Sequence, residues 1–358
     1  MGKPDIKEDK VTPSNARITG SQMAAEVHEI PIAVARLLRD ERPAIRAAAA
    51  AAAALDPMVV ATVARGSSDH AATYLKYAAE LMLGLPVASI GPSVASIYGA
   101  QLKLGRALCL SVSQSGQSPD IVEMARSART GGALTIAVTN NADSPLAQVS
   151  ERTLNIHAGP ELSVAATKTF VTSVVALLSL VAEWKGDKDL LSAIDALPDT
   201  LAKAALIDWP ELREALQGAT SLYTLGRGPA YAVSGEAALK FKEISQIHAE
   251  SYSSAEVLHG PISIIGAGFP VLAFAAADAA EDAVVGIADQ ISGKGARVFV
   301  TSDGAQTATR LGFVRTAHPL TDPLALIVSF YAMVERFARD AGIDPDKPRH
   351  LRKVTETT

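Results

Sequence analysis

Apolar and polar positions alternate along the first half of the chain in blocks that predict strands separated by helices. The strand-like blocks are rich in Val, Ile, Leu and Ala, and the blocks between them place apolar residues at helical spacing. Strands of this apolar type are typical of a parallel sheet covered by helices on both faces. The predicted strands are residues 58–64, 86–91, 107–113, 133–140 and 153–159, and the predicted helices are residues 67–83, 119–130 and 165–184.

Two helical stretches precede the first strand. Residues 21–39 show helical spacing, and Pro31 within them predicts a division into two helices. Residues 47–54 are all alanine, which favours a helix. The polar residues 1–20 predict a flexible tail.

The alternation begins again after a helical connection at residues 185–220. The uncharged stretch 257–277 is interrupted by Pro and Gly, so it predicts strand, turn and strand rather than a membrane span. The predicted elements of this half are strands at residues 221–226, 270–277 and 296–303 and helices at residues 232–248, 282–295 and 323–342.

The two halves are related by an internal repeat. ARGSSDHA aligns with GRGPAYAV, pairing Arg65 with Arg227, and TIAVTN aligns with RVFVTS, pairing Thr139 with Thr301. Both pairs are 162 residues apart, which predicts two copies of one α/β unit. The expected organisation is a tail at residues 1–20, a first domain at 21–205, a second domain at 206–340 and a C-terminal tail at 341–358 that closes the site.

Composition narrows the classes of function. With 48% hydrophobic and 20% charged residues, the 358-residue chain can bury a sizeable core. The net charge is −5 and no long Lys/Arg run is present, which disfavours nucleic-acid and anionic-membrane partners. The single cysteine, Cys109, excludes an intrachain disulfide and fits a reducing compartment. No secretory signal is visible at the start, so we expect a cytoplasmic protein.

A serine-rich bend follows one predicted strand. Residues 111–118 read SVSQSGQS, whereas the equivalent residues 273–280 of the second copy read AFAAADAA. Because the fold makes the same demands on both copies, the serines indicate a ligand, although a turn that only caps a helix is the alternative. Ser118 and Pro119 predict a helix start, where unpaired N–H groups and added hydroxyls favour an anion. No lysine follows as in a Walker loop, so one phosphate monoester is the simplest ligand.

The second copy carries candidate acid–base groups. Glu236, Lys240 and Glu243 lie at i, i+4 and i+7, on one face of a predicted helix that follows the glycine loop GRGP. One interpretation is that this face is solvated and forms surface ion pairs. The other is that it faces a ligand and moves a proton between adjacent carbons, as in an aldose–ketose isomerase. His248 is expected to be structural, and His259 lies in a loop where an imidazole could act on a ring oxygen.

Several common catalytic motifs are absent. The chain has no H-E-x-x-H and no cysteine cluster, which argues against zinc. It also lacks G-x-S-x-G and G-x-G-x-x-G, which argues against a hydrolase elbow and a dinucleotide loop. We therefore expect neither a metal nor a redox cofactor.

Five ordered motifs resemble the sugar isomerase (SIS) domain family, and more narrowly the isomerase half of glutamine–fructose-6-phosphate aminotransferases. The resemblance runs from about residue 25 to the C-terminus. It implies an α/β fold of two tandem SIS-type domains, each a parallel sheet flanked by helices in a flavodoxin-like three-layer sandwich. The motifs are ARGSSDHA, SVSQSGQS, AGPELSVAATKTF, LGRGPAYAVSGEAALKFKEISQIHAESYSSAEVLHGP and DKPRHLRKVT.

The resemblance also implies roles at matching positions. Glu243 would move the proton between carbons 1 and 2, beside Lys240 and Glu236. His259 would assist ring opening from the neighbouring subunit of a homodimer, and Lys353 would form a Schiff base with the open-chain ketose. The residues that would bind the substrate are Ser113, Gln114, Ser115 and Ser118 for the phosphate and Gly66, Ser67, Ser68 and Val164 for the sugar.

Two departures from the aminotransferase pattern affect the expected function. The chain has no room for the glutaminase domain, and Ala166 replaces a serine of the synthase pattern. We therefore expect a deaminase/isomerase that converts glucosamine 6-phosphate to fructose 6-phosphate and ammonia. The alternatives are an aminotransferase with ammonia from a separate glutaminase, a deaminase or deglycase for another phosphosugar amine, and a non-catalytic sugar-phosphate sensor. Such sensors usually carry a helix-turn-helix, for which the N-terminal ~45 residues are short.

Overall fold

The computed structural model describes residues 20–353 and consists of helices packed on strands. The predicted N-terminal tail lies outside these residues except for residue 20, as do residues 354–358 of the C-terminal tail. The α-helices are α1 (Gln22–Asp40), α2 (Arg42–Leu55), α3 (Ser67–Leu83), α4 (Ser93–Ser96), α5 (Pro119–Thr130), α6 (Pro145–Val149), α7 (Lys168–Lys185), α8 (Lys188–Asp195), α9 (Leu197–Ala204), α10 (Pro210–Ala215), α11 (Pro229–Ser245), α12 (Glu281–Ser292) and α13 (Asp322–Asp340). The strands are β1 (Val59–Val63), β2 (Val87–Ser89), β3 (Ala107–Val112), β4 (Leu134–Thr139), β5 (Arg152–Asn155), β6 (Ser221–Gly226), β7 (His248–Ser253), β8 (Pro270–Ala273), β9 (Arg297–Val300) and β10 (Thr309–Arg310).

The strands form two parallel five-stranded sheets with the same topology. The first has the order β2-β1-β3-β4-β5 and the second the order β7-β6-β8-β9-β10. Strands β6 to β10 therefore occupy the same positions in the second sheet as β1 to β5 occupy in the first. This order is that of flavodoxin-like sheets, in which ligands bind at the carboxyl ends of the strands, beside the point where the order reverses. The predicted α/β class and the predicted duplication are both confirmed.

A shared apolar core joins the two sheets. Buried side chains of both halves, among them Trp209, Phe241, Phe274 and Phe330, belong to one continuous cluster. Helices α3 and α11 pack against each other, and α11 also packs against α13. The carboxyl ends of β1 and β6, from which α3 and α11 start, therefore lie on either side of this helix contact. The domain bounds at residues 205/206 and 340/341 stay predictions.

The predicted break at Pro31 is wrong, because α1 is one continuous helix with Pro31 inside it. Proline removes one intrahelical hydrogen bond and normally bends or ends a helix. Here the buried residues on both sides of it, such as Val27 and Val34, belong to the same core. Packing of this long apolar face outweighs the lost hydrogen bond.

Strand β7 was not predicted from its residues. The helix α11 begins three residues earlier than predicted and ends at Ser245, where Gln246 adopts φ 54°. The chain then enters β7, an edge strand with a partly exposed, polar sequence. The 162-residue offset maps Val87–Ser89 of β2 onto residues 249–251, inside β7, so the repeat contained this signal.

The predicted strand at the start of residues 257–277 is also wrong. Two 3-10 turns, Glu256–His259 and Pro261–Ile264, occupy this region, and β8 follows only at Pro270. Between the turns Gly260 has φ 141°, a conformation that an extended strand does not contain. The short elements α4, α6 and β10 were not predicted either.

Candidate active site

Matching glycines end the first strand of each sheet. Gly66 precedes α3 with φ 56° and ψ −133°, and Gly228 precedes α11 with φ 59° and ψ −139°. L-residues with a side chain rarely adopt this conformation, so glycine is favoured at both positions. Ser67 and Ser68, the predicted sugar contacts, form the first turn of α3 and are partly exposed.

The serine-rich bend between β3 and α5 is a compact loop. Gly116 has φ 64°, and a Cβ atom there would lie 2.2 Å from the Ser144 hydroxyl, so only glycine fits. The buried Ser113 hydroxyl accepts a hydrogen bond from the Gly116 N–H at 3.2 Å. Ser118 is the N-cap of α5 as predicted, but its hydroxyl makes no capping hydrogen bond. The purely capping alternative therefore does not explain Ser118.

The remaining loop residues keep donors at the helix start. The Ser115 hydroxyl accepts a hydrogen bond from the Gln117 N–H at 3.3 Å, which leaves its own O–H to donate. The Gln114 carbonyl accepts a hydrogen bond from the Thr139 hydroxyl at 3.2 Å, and the Gln114 side chain is partly exposed. The loop thus presents hydroxyl and amide groups where the N-terminus of α5 favours an anion.

A buried charge cluster lies on α11. The Lys240 ammonium is 3.1 Å from a Glu236 carboxylate oxygen and 2.6 Å from a Glu243 oxygen. Lys240 also donates to the Ser67 hydroxyl at 3.0 Å, and Tyr331 of α13 donates to Glu236 at 2.9 Å. Glu236 and Lys240 are fully buried, whereas the Glu243 side chain is 20% exposed. The alternative of a solvated helix face is therefore wrong for Glu236 and Lys240.

Burial and pairing shift the pKa values of this cluster. Burial, opposed by the Lys240 charge, raises the pKa of Glu236 to about 7. Burial alone would lower the pKa of Lys240, but the Glu236 and Glu243 carboxylates outweigh it and raise that pKa. The Lys240 ammonium thus lies between two carboxyl groups, and the pKa of one of them, Glu236, is close to neutral pH. The second Glu236 oxygen is buried and has no hydrogen-bond partner within residues 20–353.

The C-terminal segment brings Lys353 to the loop that follows β5. The Lys353 ammonium donates to a Glu161 carboxylate oxygen at 2.8 Å and to the Ser163 carbonyl at 2.7 Å. Burial acts to raise the pKa of Glu161, but the charge of Lys353 and hydrogen bonds from Thr167 and Thr169 outweigh it and lower that pKa. Glu161 was not among the predicted site residues, and spacing alone contains no signal for it.

The same loop is held from α1 as well. Glu26 accepts hydrogen bonds from the Leu162 and Ser163 N–H groups, and burial raises the pKa of Glu26 to about 7. Because Glu161 also accepts the Thr167 N–H, residues 165–167 stay in the loop, and α7 begins later than predicted. Val164, the predicted sugar contact, lies at the centre of this fixed loop and is partly exposed.

His259 is separate from the charge cluster in this single chain. It is exposed at the end of a 3-10 turn, and no hydrogen bond joins it to Glu236, Lys240 or Glu243 among the residues described. His248, expected to be structural, begins β7 and lies 3.5 Å from the Ser221 hydroxyl.

The described residues contain neither a metal-binding cluster nor a membrane-spanning helix. Between residues 20 and 353, no three His, Cys, Asp or Glu side chains are grouped to hold a metal ion. In the same part of the chain, no helix combines the length and the apolar character needed to cross a membrane.

Comparison with known proteins places the chain in a family. The family model described as "SIS domain" matches residues 59–183 and 215–312, one match on each sheet. The chain therefore belongs to the SIS domain family and contains the domain twice, which confirms the resemblance. The curated relatives described below are named as aminotransferases, and the similarity is to their isomerase half.

Individual relatives make the placement more specific. The glutamine–fructose-6-phosphate aminotransferase (isomerizing) of Aeropyrum pernix is 34% identical over 98% of this chain and 60% of its own length. The Symbiobacterium thermophilum enzyme of the same name is 36% identical over 82% of this chain and 51% of its own. The chain thus spans about half to three fifths of these relatives.

Solved structures agree with the family. A Silicibacter pomeroyi DSS-3 protein described as a candidate phosphosugar isomerase is 63% identical, covering 91% of this chain and 100% of that one, with a TM-score of 0.89. The C-terminal domain of the Francisella tularensis glucosamine-fructose-6-phosphate aminotransferase has a TM-score of 0.80 at 24% identity, covering 94% and 100%. A Thermotoga maritima glucosamine-6-phosphate deaminase has a TM-score of 0.76 at 20% identity, covering 94% and 100%. The last two likenesses concern the fold.

Proposed function

We propose that the protein is an amino-sugar phosphate deaminase/isomerase that converts glucosamine 6-phosphate to fructose 6-phosphate and ammonia. The observation that carries the proposal is the buried Glu236–Lys240–Glu243 cluster, hydrogen-bonded to Ser67 on the other half of the molecule. A sensor needs no buried acid–base group beside its ligand, whereas an isomerase does.

Glu243 is the proposed base. It is the partly exposed member of the cluster, and one of its carboxylate oxygens lies 2.6 Å from the Lys240 ammonium. It removes the proton from carbon 2 of the open-chain amino aldose and returns it to carbon 1. The oxygen on carbon 1 gains a proton and the nitrogen on carbon 2 loses one, so the aldehyde becomes an alcohol and carbon 2 becomes an imine. Lys240 offsets the negative charge that develops between the two steps.

Hydrolysis completes the proposed reaction. Water adds to the imine carbon, ammonia leaves, and the ketose remains. Glu236, with a pKa raised to about 7, is available as a proton donor or acceptor within the same hydrogen-bonded cluster. No step requires a metal or a redox cofactor, and glutamine hydrolysis is not part of the reaction.

We assign the substrate contacts to three segments of the first half. Ser113, Gln114, Ser115 and Ser118 hold the phosphate at the start of α5, and the residues that line the sugar are Gly66, Ser67, Ser68 and Val164. Lys353, held by Glu161 near the predicted sugar contacts, is the proposed Schiff-base lysine for the ketose.

A homodimer is part of the proposal. His259 is exposed in the single chain, as expected of a residue that completes the site of a neighbouring subunit. Light scattering of active protein should give twice the mass of one chain, and His259→Asn should slow ring opening without weakening phosphate binding. Active monomers would contradict the shared site. We also propose a cytoplasmic location, consistent with the single buried Cys109.

The synthetic direction is the second candidate. It is favoured by the curated relatives, which are named as aminotransferases. With free ammonia, synthesis of glucosamine 6-phosphate is the reverse of the proposed reaction at the same residues. Nitrogen from glutamine would need a glutaminase in addition.

One panel of reactions tests these alternatives. Purified protein is incubated with glucosamine 6-phosphate, galactosamine 6-phosphate and a fructosyl-amino acid phosphate, and ammonia release is measured. Fructose 6-phosphate is then supplied with ammonia or with glutamine, and amino-sugar formation is measured. Release from glucosamine 6-phosphate at the highest kcat/KM supports the proposal. If another amine is released faster, that amino-sugar phosphate is the substrate. Synthesis that depends on glutamine supports the aminotransferase. Binding of sugar phosphates without turnover supports the sensor.

A further inference from the structure

Arg65 reaches the start of the helix that follows the serine-rich loop. It lies at the end of β1, directly before Gly66, and its guanidinium is paired with the Asp120 carboxylate. Asp120 is fully buried and is the second residue of α5, two positions after Ser118. The Arg65 side chain, in contrast, is 44% exposed. One end of the guanidinium is therefore anchored and another part faces solvent.

The sheet register places Arg65 beside the loop. Val63 of β1 is paired with Ser111 of β3, and Arg65 and Ser113 each follow two residues later, beyond the ends of these neighbouring strands. Adjacent strands are separated by about 4.8 Å. A guanidinium has five N–H donors, and among residues 20–353 its one hydrogen bond is to Asp120. Donors remain for a ligand at the loop.

A phosphate in this loop needs a positive charge close to it. The loop sequence SVSQSGQS contains no cation, and the buried Asp120 carboxylate at the start of α5 opposes a second anion there. A phosphate monoester carries up to two negative charges near neutral pH. Without a cation, the hydroxyl and amide groups of the loop would have to bind the phosphate despite repulsion by the Asp120 carboxylate.

We propose that Arg65 is a further phosphate-binding residue, whose guanidinium is oriented by Asp120 and donates to the oxygens of a phosphate monoester in the Ser113–Ser118 loop. The inference rests on the proposed function, since that function places a sugar phosphate in this loop. Arginine suits the role because its planar group can bond a carboxylate and a phosphate from different edges.

The second half of the chain supplies a matched control. Arg227 precedes Gly228, which has nearly the same backbone angles as Gly66, and the residue of its half that corresponds to Ser113 is Ala275. The residue equivalent to Asp120 is Asp282, which is exposed, and no ion pair joins it to Arg227 among the residues described. Arg227 thus shares the position of Arg65 in its own half but lacks the loop and the anchor.

The test uses four variants, because Arg65→Ala alone leaves a buried unpaired carboxylate and can destabilise the fold. They are Arg65→Ala, Asp120→Asn, the double variant Arg65→Ala/Asp120→Asn, and Arg227→Ala. The double variant removes the guanidinium and the buried charge together. Calorimetry measures the Kd of inorganic phosphate and of fructose 6-phosphate for each variant whose circular dichroism and melting temperature match the wild type.

We expect the double variant to bind both ligands about 10- to 100-fold more weakly than the wild type, the range expected for a lost charge-assisted hydrogen bond. Asp120→Asn should bind as well as the wild type or more tightly, and Arg227→Ala should not change. A double variant that binds like the wild type would mean that Arg65 only neutralises Asp120. That result overturns the inference and leaves the proposed function intact.

A further comparison separates failure of the inference from failure of the proposed function. Wild-type protein that binds neither phosphate nor any sugar phosphate would remove the basis of both. Equal loss of affinity for unphosphorylated glucosamine in the double variant would also overturn the inference, because a phosphate ligand acts only on phosphorylated molecules.

Discussion

The two halves of the molecule share a topology but treat the loop after their third strand differently. In the first half, the Gly116 and Gln117 N–H groups bond to serine hydroxyls of the same loop. In the second half, the N–H group of Ala277, the residue equivalent to Ser115, donates to a carboxylate oxygen of Asp322, from α13, at 2.8 Å. Arg315 in turn pairs with Asp322 at 2.8 Å. The second loop thus has an anion from its own protein at a position where the first has serines.

Further internal bonds close the second loop. Asp278, which stands where the first half has Gly116, accepts the Ala280 N–H at 2.7 Å. Glu281 pairs with Arg315 at 2.6 Å and accepts a hydrogen bond from Ser302 at 2.7 Å. Both halves therefore favour an anion at the start of a helix. The difference is that carboxylates bond to the N–H groups of the second loop, whereas serine hydroxyls bond to those of the first.

The charged helix shows the reverse difference. Glu236, Lys240 and Glu243 of α11 correspond by the 162-residue offset to Tyr74, Ala78 and Leu81 of α3, which carry no charge. Neither half therefore contains both kinds of group. Contact between α3 and α11 joins the charged helix to the first half, since the Ser67 hydroxyl accepts a hydrogen bond from Lys240 and donates one to Glu236.

The largest expected effect concerns the charged helix. Glu243→Gln keeps the size of the side chain but removes the base, so kcat for ammonia release should fall by about 10²- to 10⁴-fold while the Kd of phosphate stays unchanged. Leu81→Gln, at the equivalent position of α3, is the matched control and should change neither value. Full turnover in Glu243→Gln would assign the base to another residue.

The next effect concerns the loop backbone. Gly116→Ala places a Cβ atom 2.2 Å from the Ser144 hydroxyl at a residue with φ 64°. We expect the free energy of unfolding to fall by about 3 kcal/mol and phosphate affinity to fall about 100-fold, because the loop must move. Urea unfolding and calorimetry measure both.

Asp278→Ala at the equivalent position is the control for Gly116→Ala. It loses the hydrogen bond to the Ala280 N–H, which costs about 1 kcal/mol of stability. Phosphate affinity should stay the same, because the second loop is closed by its own carboxylates. If both variants weakened phosphate binding equally, the two loops would not differ in function.

A smaller effect concerns the contact between the halves. His70 of α3 lies so close to Gly235 of α11 that a Cβ atom there would be 2.8 Å from the imidazole. Burial, followed by the charges of Lys240 and Lys242, lowers the pKa of His70 to about 4. The unfolded chain takes up this proton near pH 6.5, and the folded chain takes it up only near pH 4. Folding is therefore destabilised progressively as the pH falls through this interval.

His70→Gln should remove this dependence. We expect the loss of unfolding free energy between pH 7.5 and 4.5 to be about 2 kcal/mol smaller than in the wild type, measured by urea titration at each pH. His248→Gln, which replaces an exposed histidine, is the control and should leave the acid loss unchanged. Equal effects of the two variants would contradict a buried neutral His70 between the halves.

The smallest expected effect on phosphate affinity concerns single hydroxyl groups, removed from the first loop or added to the second. Ser115→Ala removes one hydroxyl donor and should raise the Kd of phosphate about tenfold. Ala277→Ser adds a hydroxyl at the equivalent residue of the second loop and should not create phosphate binding, because Asp322 already occupies the N–H group there. A gain of binding in Ala277→Ser would show that hydroxyls alone make the site.

Much of the fold followed from local patterns. The helices α3 and α5 lie at the predicted residues, because each is a run of helical spacing bounded by a recognisable start. Strand β7 was missed because an edge strand needs few apolar residues. Pro31 was misread because its local penalty is opposed by core contacts that are distant in sequence.

The candidate site was predicted less completely than the fold. Spacing placed Glu236, Lys240 and Glu243 on one face but left open whether that face is solvated. Tyr331 and Glu161 gave no signal at all, since each acts through a partner far along the chain. Burial of a helix face depends on the residues that pack against it, and the sequence of the helix alone does not specify those residues.

The sequence by itself determined most of the strands and helices, their duplication at a spacing of 162 residues and the difference between the serine and alanine loops. These are properties of short segments, whose periodicity and residue types act locally. Only the tertiary structure decided which charges are buried together and which ammonium meets which carboxylate. Lys353 and Glu161 are 192 residues apart, and Arg65 and Asp120 are 55 apart. Such pairs, and the pKa shifts that depend on burial, arise only when separate elements exclude water from the same place.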